Sequence, residues 1–189
     1  MTFRYILYTD CSGPHYKKRG VKMKIGLFYG TTSAATEEVA TLIQESLEGC
    51  EVELFDIYKE PLEKINEFEN IIIGCPTWDI GLLQEDWRTK FDDLDTLDFS
   101  NKKVAYFGCG DQHVYSGTFL DALGTLEEKI TAKGATTIGQ WPVEGYSFDY
   151  SKAQKDDKFV GLGIDNDNEP ELTEDRVSAW CKQIESEFA

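Results

Sequence analysis

The sequence predicts an α/β domain built on a doubly wound parallel sheet, and three observations carry that prediction. Apolar runs of strand length alternate with stretches of helical periodicity from Lys24 onward. Ile71, Ile72 and Ile73 are consecutive, as in a parallel strand covered on both faces. Loops rich in glycine, proline, hydroxyl and aromatic residues follow the first, third and fourth strands. These loops share the end of the sheet at which open α/β folds bind ligands.

Residues 25–29 (Ile-Gly-Leu-Phe-Tyr) read as the first strand. Residues 36–47 read as a helix with Val39, Leu42, Ile43 and Leu47 on one stripe, ended by Gly49. Residues 51–55 alternate polar and apolar, which puts the second strand near a sheet edge. Residues 61–68 form a short helical link, and residues 70–74 form the third strand. Pro76 breaks that strand and opens a loop over residues 75–81. A helix over 84–94 leads to the fourth strand at 103–108 and a second loop at 109–117. The helix over 118–133 carries Phe119, Leu123, Leu126 and Ile130 and stops at Gly134. Residues 135–141 begin the fifth strand, 144–157 are a polar, aromatic-bearing excursion, and 158–164 read as strand again. Thr173 caps the last helix, 173–188.

A chain of 189 residues with 41% hydrophobic and 13% aromatic content suits one domain with a full core. No apolar run approaches the ~20 residues of a membrane helix. The formal charge of −16 repels nucleic acid and anionic membranes, leaving a small ligand or a basic protein as partner. Residues 1–22 hold five basic residues against Asp10 alone, so the remainder carries −20. That basic stretch is treated as an extension, with residues 23–189 as the domain. Three readings of it compete: a start that belongs at Met23, part of a targeting segment, or an ordered extension. The first is preferred. The cysteine count is odd (five) and no Cys-x-x-Cys occurs, which fits free thiols in a reducing compartment. The expected location is cytoplasmic, or the plastid stroma in an alga. With two histidines, no metal centre is expected.

The first loop brings Thr31, Thr32, Ser33 and Thr36 to a strand-to-helix turn, where free N–H groups and the helix dipole favour an anion. The Gly-x-x-x-x-Gly-Lys loop and the Gly-x-Gly-x-x-Gly fingerprint are both absent. What remains is a seat for one phosphate without a lysine, or else a hydroxyl-rich turn with Thr32 or Ser33 as helix N-cap. Trp78 in the second loop and Tyr115 in the third, with Asp111 nearby, can sandwich a flat ring. Taken singly, each aromatic also reads as cover for the sheet end. A phosphate seat and a ring sandwich together describe a mononucleotide site, and flavin mononucleotide (FMN) suits it.

Gly-Leu-Phe-Tyr-Gly-Thr (26–31), Ile-Ile-Gly-Cys-Pro-Thr-Trp (72–78), Val-Ala-Tyr-Phe-Gly (104–108) and Gly-Asp-Gln (110–112) together resemble the flavodoxins, long-chain type, from about Met23 onward. The match continues in Lys158-Phe-Val-Gly-Leu, with Asp157 where the family has glycine. The resemblance implies a flavodoxin-like five-stranded parallel sheet of order 2-1-3-4-5, with strand five split by an insertion. It implies a low-potential one-electron carrier that binds FMN non-covalently and passes between quinone, semiquinone and hydroquinone states in place of ferredoxin. It implies no catalytic residues. The implied FMN-binding residues are Thr31, Thr32, Ser33, Ala34, Ala35 and Thr36 at the phosphate; Pro76, Thr77, Trp78, Asp79, Ile80 and Gly81 in the second loop; and Cys109, Gly110, Asp111 and Tyr115 in the third. Trp78 and Tyr115 would stack on the ring and Asp111 would bond its pyrimidine edge. The Asp79–Ile80 peptide would turn to accept a hydrogen bond from flavin N5–H. Implied partners are redox proteins with basic patches, of the ferredoxin-NADP reductase, photosystem or oxidoreductase kind, met by a monomer.

Two departures from the family pattern stand out. Ala34 replaces the phosphate-loop glycine, and binding survives if Ala34 enters the helix with negative φ. Asp79 stands where asparagine is common, and its charge would disfavour the anionic hydroquinone. Cys75 and Cys109 flank the ring loops and read as small buried fillers. A flavin-dependent NAD(P)H:quinone reductase and a flavin-free binding module are the alternative functions. A receiver domain is excluded, because Gly30-Thr31 and Pro76-Thr77 occupy the places of its acidic residues.

Overall fold

The computed structural model describes residues 22–189. The basic extension expected over residues 1–22, apart from Lys22, lies outside the described residues. The chain runs β1 (Lys24–Tyr29), α1 (Ala35–Ser46), β2 (Glu51–Asp56), β3 (Asn70–Gly74), β4 (Thr77–Trp78), β5 (Leu82–Leu83), α2 (Glu85–Thr89), β6 (Lys103–Cys109), α3 (Asp121–Thr131), β7 (Thr136–Ile138), β8 (Trp141–Pro142), β9 (Gln154–Lys155), β10 (Lys158–Phe159), β11 (Leu162–Ile164) and α4 (Thr173–Phe188). Short 3-10 turns occupy Leu62–Glu67, Asp93–Thr96 and Pro170–Leu172.

The central sheet has the order β2-β1-β3-β6, with β7 and β11 both parallel to β6 at the far edge. β7 pairs with residues 103–105 of β6, and β11 pairs with residues 107–109. One strand position is therefore shared by two pieces of chain, which is the expected 2-1-3-4-5 order with strand five split. Between the pieces, β8, β10 and β9 form a small antiparallel sheet of their own.

The strands alternate their side chains between two cores, as a period of two requires. Ile71 and Ile73 of β3 face a core with Phe28, Trp87, Val104, Tyr106, Leu123 and Leu126, beneath α2 and α3. Ile72 faces the other, with Ile25, Leu27, Val39, Ile43, Phe107 and Trp180, beneath α1 and α4. Burying each large side chain contributes about 1.5–3 kcal/mol. Both cores end at the same rim, and the three loops that the sequence singles out rise there.

Several boundaries differ from expectation. The helix expected over 84–94 is a helix of five residues, Glu85–Thr89, followed by a separate 3-10 turn at Asp93–Thr96 that buries Leu94. The helix expected over 118–133 begins only at Asp121, after Leu120 adopts a left-handed φ of 61°. The strand expected over 158–164 divides at Gly161, where an added Cβ would run into the Tyr106 carbonyl. The loop over 75–81 is largely the hairpin β4–β5. Gly49 lies beyond the end of α1, whose C-cap is Leu47. Thr173 is the first residue of α4 and not its cap; its hydroxyl donates to Asn166 Oδ1 at 2.6 Å.

Candidate functional site

The first loop leaves β1 at Gly30, whose N–H donates to the Gly74 carbonyl at 3.1 Å. The Trp87 indole donates to the same carbonyl at 2.9 Å. A side chain at position 30 would collide with Gln84 Oε1 and lie 2.8 Å from Trp87 Cδ1, so the loop needs glycine in order to pass α2 closely. Thr31 Oγ1 is buried without a hydrogen-bond partner. Such a hydroxyl is costly unless something accepts its proton. Thr36 is buried in the first turn of α1. Neither Thr32 nor Ser33 is the N-cap: that position is Ala34, and no side chain caps the helix. Ala34 has φ 67° and ψ −13°, so the expected negative φ is not met. The turn requires the left-handed conformation that glycine adopts freely.

The second loop is held at both ends. Thr77 pairs with Leu83 and Trp78 with Leu82, and Thr77 Oγ1 accepts from Ala122 N–H at 3.3 Å in the first turn of α3. Asp79 (φ 47°) and Gly81 (φ 81°) make the turn between them, with Ile80 at its tip and 79% exposed.

The third loop continues the β6–β11 ladder, since Gly110 N–H donates to the Ile164 carbonyl at 3.0 Å. Asp111 Oδ1 then accepts from the N–H groups of His113 (2.9 Å) and Val114 (2.8 Å) and from Asn168 Nδ2 (2.8 Å). Burial pushes the Asp111 carboxyl up, but these donors outweigh it and hold the group below its ordinary value. Below the loop, the fully buried Asp165 accepts from the N–H groups of Gln112, Asp167 and Asn168. Gln112 in turn donates to Glu169, which pairs with Arg176 at 2.8 Å, and accepts from Ser147 N–H in the insertion.

These loops enclose a cleft of about 300 Å³ lined by Ser33, Ala35, Pro76, Thr77, Trp78, Asp79, Cys109, Gly110, Asp111, Tyr115 and Asp167. The structure thus brings most of the predicted residues together. Ala34 borders a separate depression with Glu37 and Thr41, while Thr31, Thr32, Thr36, Ile80 and Gly81 are not in the lining. Asp167 was not predicted, and neither were Asp165 and Asn168, which fix the loop beneath it. The only sequence signal for them is the polar run that ends strand five, which resembles any surface turn. The lining holds three carboxylates and no Lys, Arg or His. Trp78 and Tyr115 are half exposed, and Ile80 and Val114 are exposed apolar residues of the same two loops. Burial pushes the Cys75 and Cys109 thiols up to about 12, so both stay protonated fillers. Among the described residues no cluster of His, Cys, Asp and Glu could hold a metal, and no helix is long and apolar enough to cross a membrane. The geometry suits an anionic group set at the first loop and a flat ring at the aromatic pair.

Comparison with known proteins bears on what that ligand is. The flavodoxin family model matches residues 27–180. A flavodoxin of Picosynechococcus sp. is 54% identical over 166 residues, covering 87% of this chain and 98% of its own. Flavodoxin 1 of Escherichia coli is 45% identical over 164 residues, covering 86% and 93%. Among solved structures, the Fusobacterium nucleatum flavodoxin bound to flavin mononucleotide superimposes with a TM-score of 0.84 at 28% identity, covering 88% of this chain and 99% of that one.

Proposed function

The chain belongs to the flavodoxin family, and from that premise we propose how its own residues serve an FMN-dependent electron carrier. It is an electron-transfer protein and not an enzyme. Bound FMN supplies a ring that takes up and releases electrons one at a time; the protein binds it, orients it and sets its surroundings.

One observation carries the residue assignment. The buried, unpartnered Thr31 hydroxyl stands at the head of the loop that lines the aromatic cleft. A phosphate gives that hydroxyl its acceptor, and the uncapped start of α1 adds backbone donors. Thr32, Ser33, Ala34, Ala35 and Thr36 complete the seat. Trp78 and Tyr115 cover the ring and exclude water from it. Asp111 Oδ1 is committed to its own loop, which leaves the Oδ2 side of the carboxylate for the ring edge. The Asp79–Ile80 peptide, in the hairpin turn, supplies a carbonyl acceptor. The remaining predicted residues, Pro76, Thr77, Gly81, Cys109 and Gly110, shape the walls.

The carrier's partners are redox proteins with basic patches, of the ferredoxin-NADP reductase, photosystem or oxidoreductase kind, steered by the −16 charge. They meet a monomer at the exposed Ile80 and Val114, beside the cleft. Residues 23–189 are the FMN-binding domain. The test is the visible spectrum of the purified protein during stepwise anaerobic reduction. A yellow protein that is reduced in two resolved one-electron stages supports the reading, with Thr31→Val weakening FMN uptake on the order of tenfold. A colourless protein that takes up no added FMN overturns it.

A further inference from the structure

Gln84 lies outside the cleft lining, is only 2% exposed, and joins the first loop to the start of α2. Its Oε1 accepts from the N–H groups of Asp86 (3.0 Å) and Trp87 (3.4 Å), which fixes the start of α2. Its Nε2 faces the carbonyl of Thr31 (3.4 Å), the hydroxyl of Thr32 (3.3 Å) and Asp86 Oδ2 (2.6 Å). Gly30 packs against the same amide so closely that no Cβ fits between them. In sequence, Gln84 directly follows Leu83, which pairs with Thr77 in the ring-side hairpin.

We propose that Gln84 is the positioning residue of the phosphate seat. It holds the Thr31–Thr32 backbone against the end of the hairpin, so that the Thr31 hydroxyl and the following N–H groups are set before ligand arrives. It touches no ligand itself. A buried amide that bridges the first loop and the start of α2 fixes their separation, because releasing either contact strands a buried polar group. The proposal rests on the FMN reading and adds to it: affinity for the phosphate is governed from the N-cap of α2.

The experiment titrates the apoprotein with FMN and with riboflavin, which lacks the phosphate, following flavin fluorescence. Wild type, Gln84→Glu and Gln84→Met are compared. Gln84→Glu keeps the acceptor that Asp86 and Trp87 use but removes the donor to Thr31 and Thr32 and adds a negative charge. Gln84→Met removes both functions without adding charge. Either loss is expected to weaken FMN binding on the order of tenfold while riboflavin moves less than about threefold. The FMN-to-riboflavin affinity ratio is the reading that a merely structural role would not move. Both flavins weakened by one common factor, or an unchanged ratio in both variants, overturns the proposal and leaves the FMN reading standing. A wild-type apoprotein that binds neither flavin overturns both. Because the added charge of Gln84→Glu would itself repel a phosphate, the Gln84→Met ratio decides; if Gln84→Met does not fold, the neutral Gln84→Asn, whose amide is one methylene short of Thr31 and Thr32, is judged by the same ratio.

Discussion

Replacing Ala34 by glycine tests whether the phosphate turn stores backbone strain. Ala34 sits at φ 67° and ψ −13° with its carbonyl already accepting from Glu38 N–H at 2.9 Å, so the residue cannot relax without losing the first bond of α1. The left-handed region costs a residue with a Cβ about 1–2 kcal/mol. Glycine removes that cost but gives up about 0.5–1 kcal/mol of extra chain entropy on folding. The net expectation is a gain of about 0.5–1 kcal/mol. For a domain of this size, that raises the melting temperature of the apoprotein by about 1–4 °C. In urea, the midpoint should move up with the slope unchanged. Ala35→Gly is the internal control, because Ala35 is the first residue of α1 with an ordinary helical φ. The same chemical change there should lose up to about 1 kcal/mol. Opposite signs at adjacent alanines would place the strain at position 34 alone. Two losses of similar size would refute the reasoning.

Further predictions concern charge. Asp79→Asn preserves the turn, since both residues tolerate positive φ. It removes a carboxylate from the cleft wall and should raise the more negative of the two one-electron potentials by roughly tens of millivolts; an unmoved potential in spectroelectrochemical titration would refute this. The Asp111 carboxyl is held below its ordinary 3.8 when folded. Its contribution to stability is therefore complete above 3.8 and is lost as pH falls through the lower folded value. Unfolding midpoints from about pH 5 down to about pH 2 should fall more steeply for wild type than for Asp111→Asn; parallel curves would refute the assignment. FMN affinity should rise modestly from about 10 to about 300 mM salt, because the chain and the phosphate repel and salt screens that repulsion. A fall in affinity, measured by the same fluorescence titration, would place a cation at the phosphate.

The fold was legible because its signals are local. Three successive isoleucines between Asn70 and Gly74 are too short a run for a helix and suit a strand covered on both faces, while the split of strand five comes from the family resemblance. The cleft was legible for a similar reason: strand order alone carries the three loops to one rim. What escaped depends on residues distant in sequence. An alanine at position 34 does not itself signal a left-handed backbone; the one cue is that the family pattern has glycine there, and the expected negative φ is wrong. Gln84 reads as an ordinary helix start because its partners, Thr31 and Thr32, lie more than 50 positions earlier. Asp165 is fully buried and bonds three backbone N–H groups, yet the stretch that contains it reads as surface acid. Acidic residues rarely occupy such a place unless their donors are supplied, and a linear pattern does not reveal those donors.

The charge of the cleft follows from the work the site performs. An anionic ligand meets a wall with Asp79, Asp111 and Asp167 and with no Lys, Arg or His. No cationic side chain contributes to affinity in that lining, so in the proposed seat binding comes from neutral donors, the helix start and aromatic cover. A lysine in the wall would hold the phosphate more tightly. The same positive charge would also favour each electron added to the ring, and so make the carrier a weaker reductant. Hydroxyls and amides avoid that conflict, because their dipoles are spent at contact range while the charge of the surrounding chain acts across the whole cleft. The proposed phosphate seat would account for the orphaned Thr31 hydroxyl and the uncapped helix start occurring in one loop. Each costs stability without a ligand, and a phosphate in the proposed seat would satisfy both without bringing a cation near the ring.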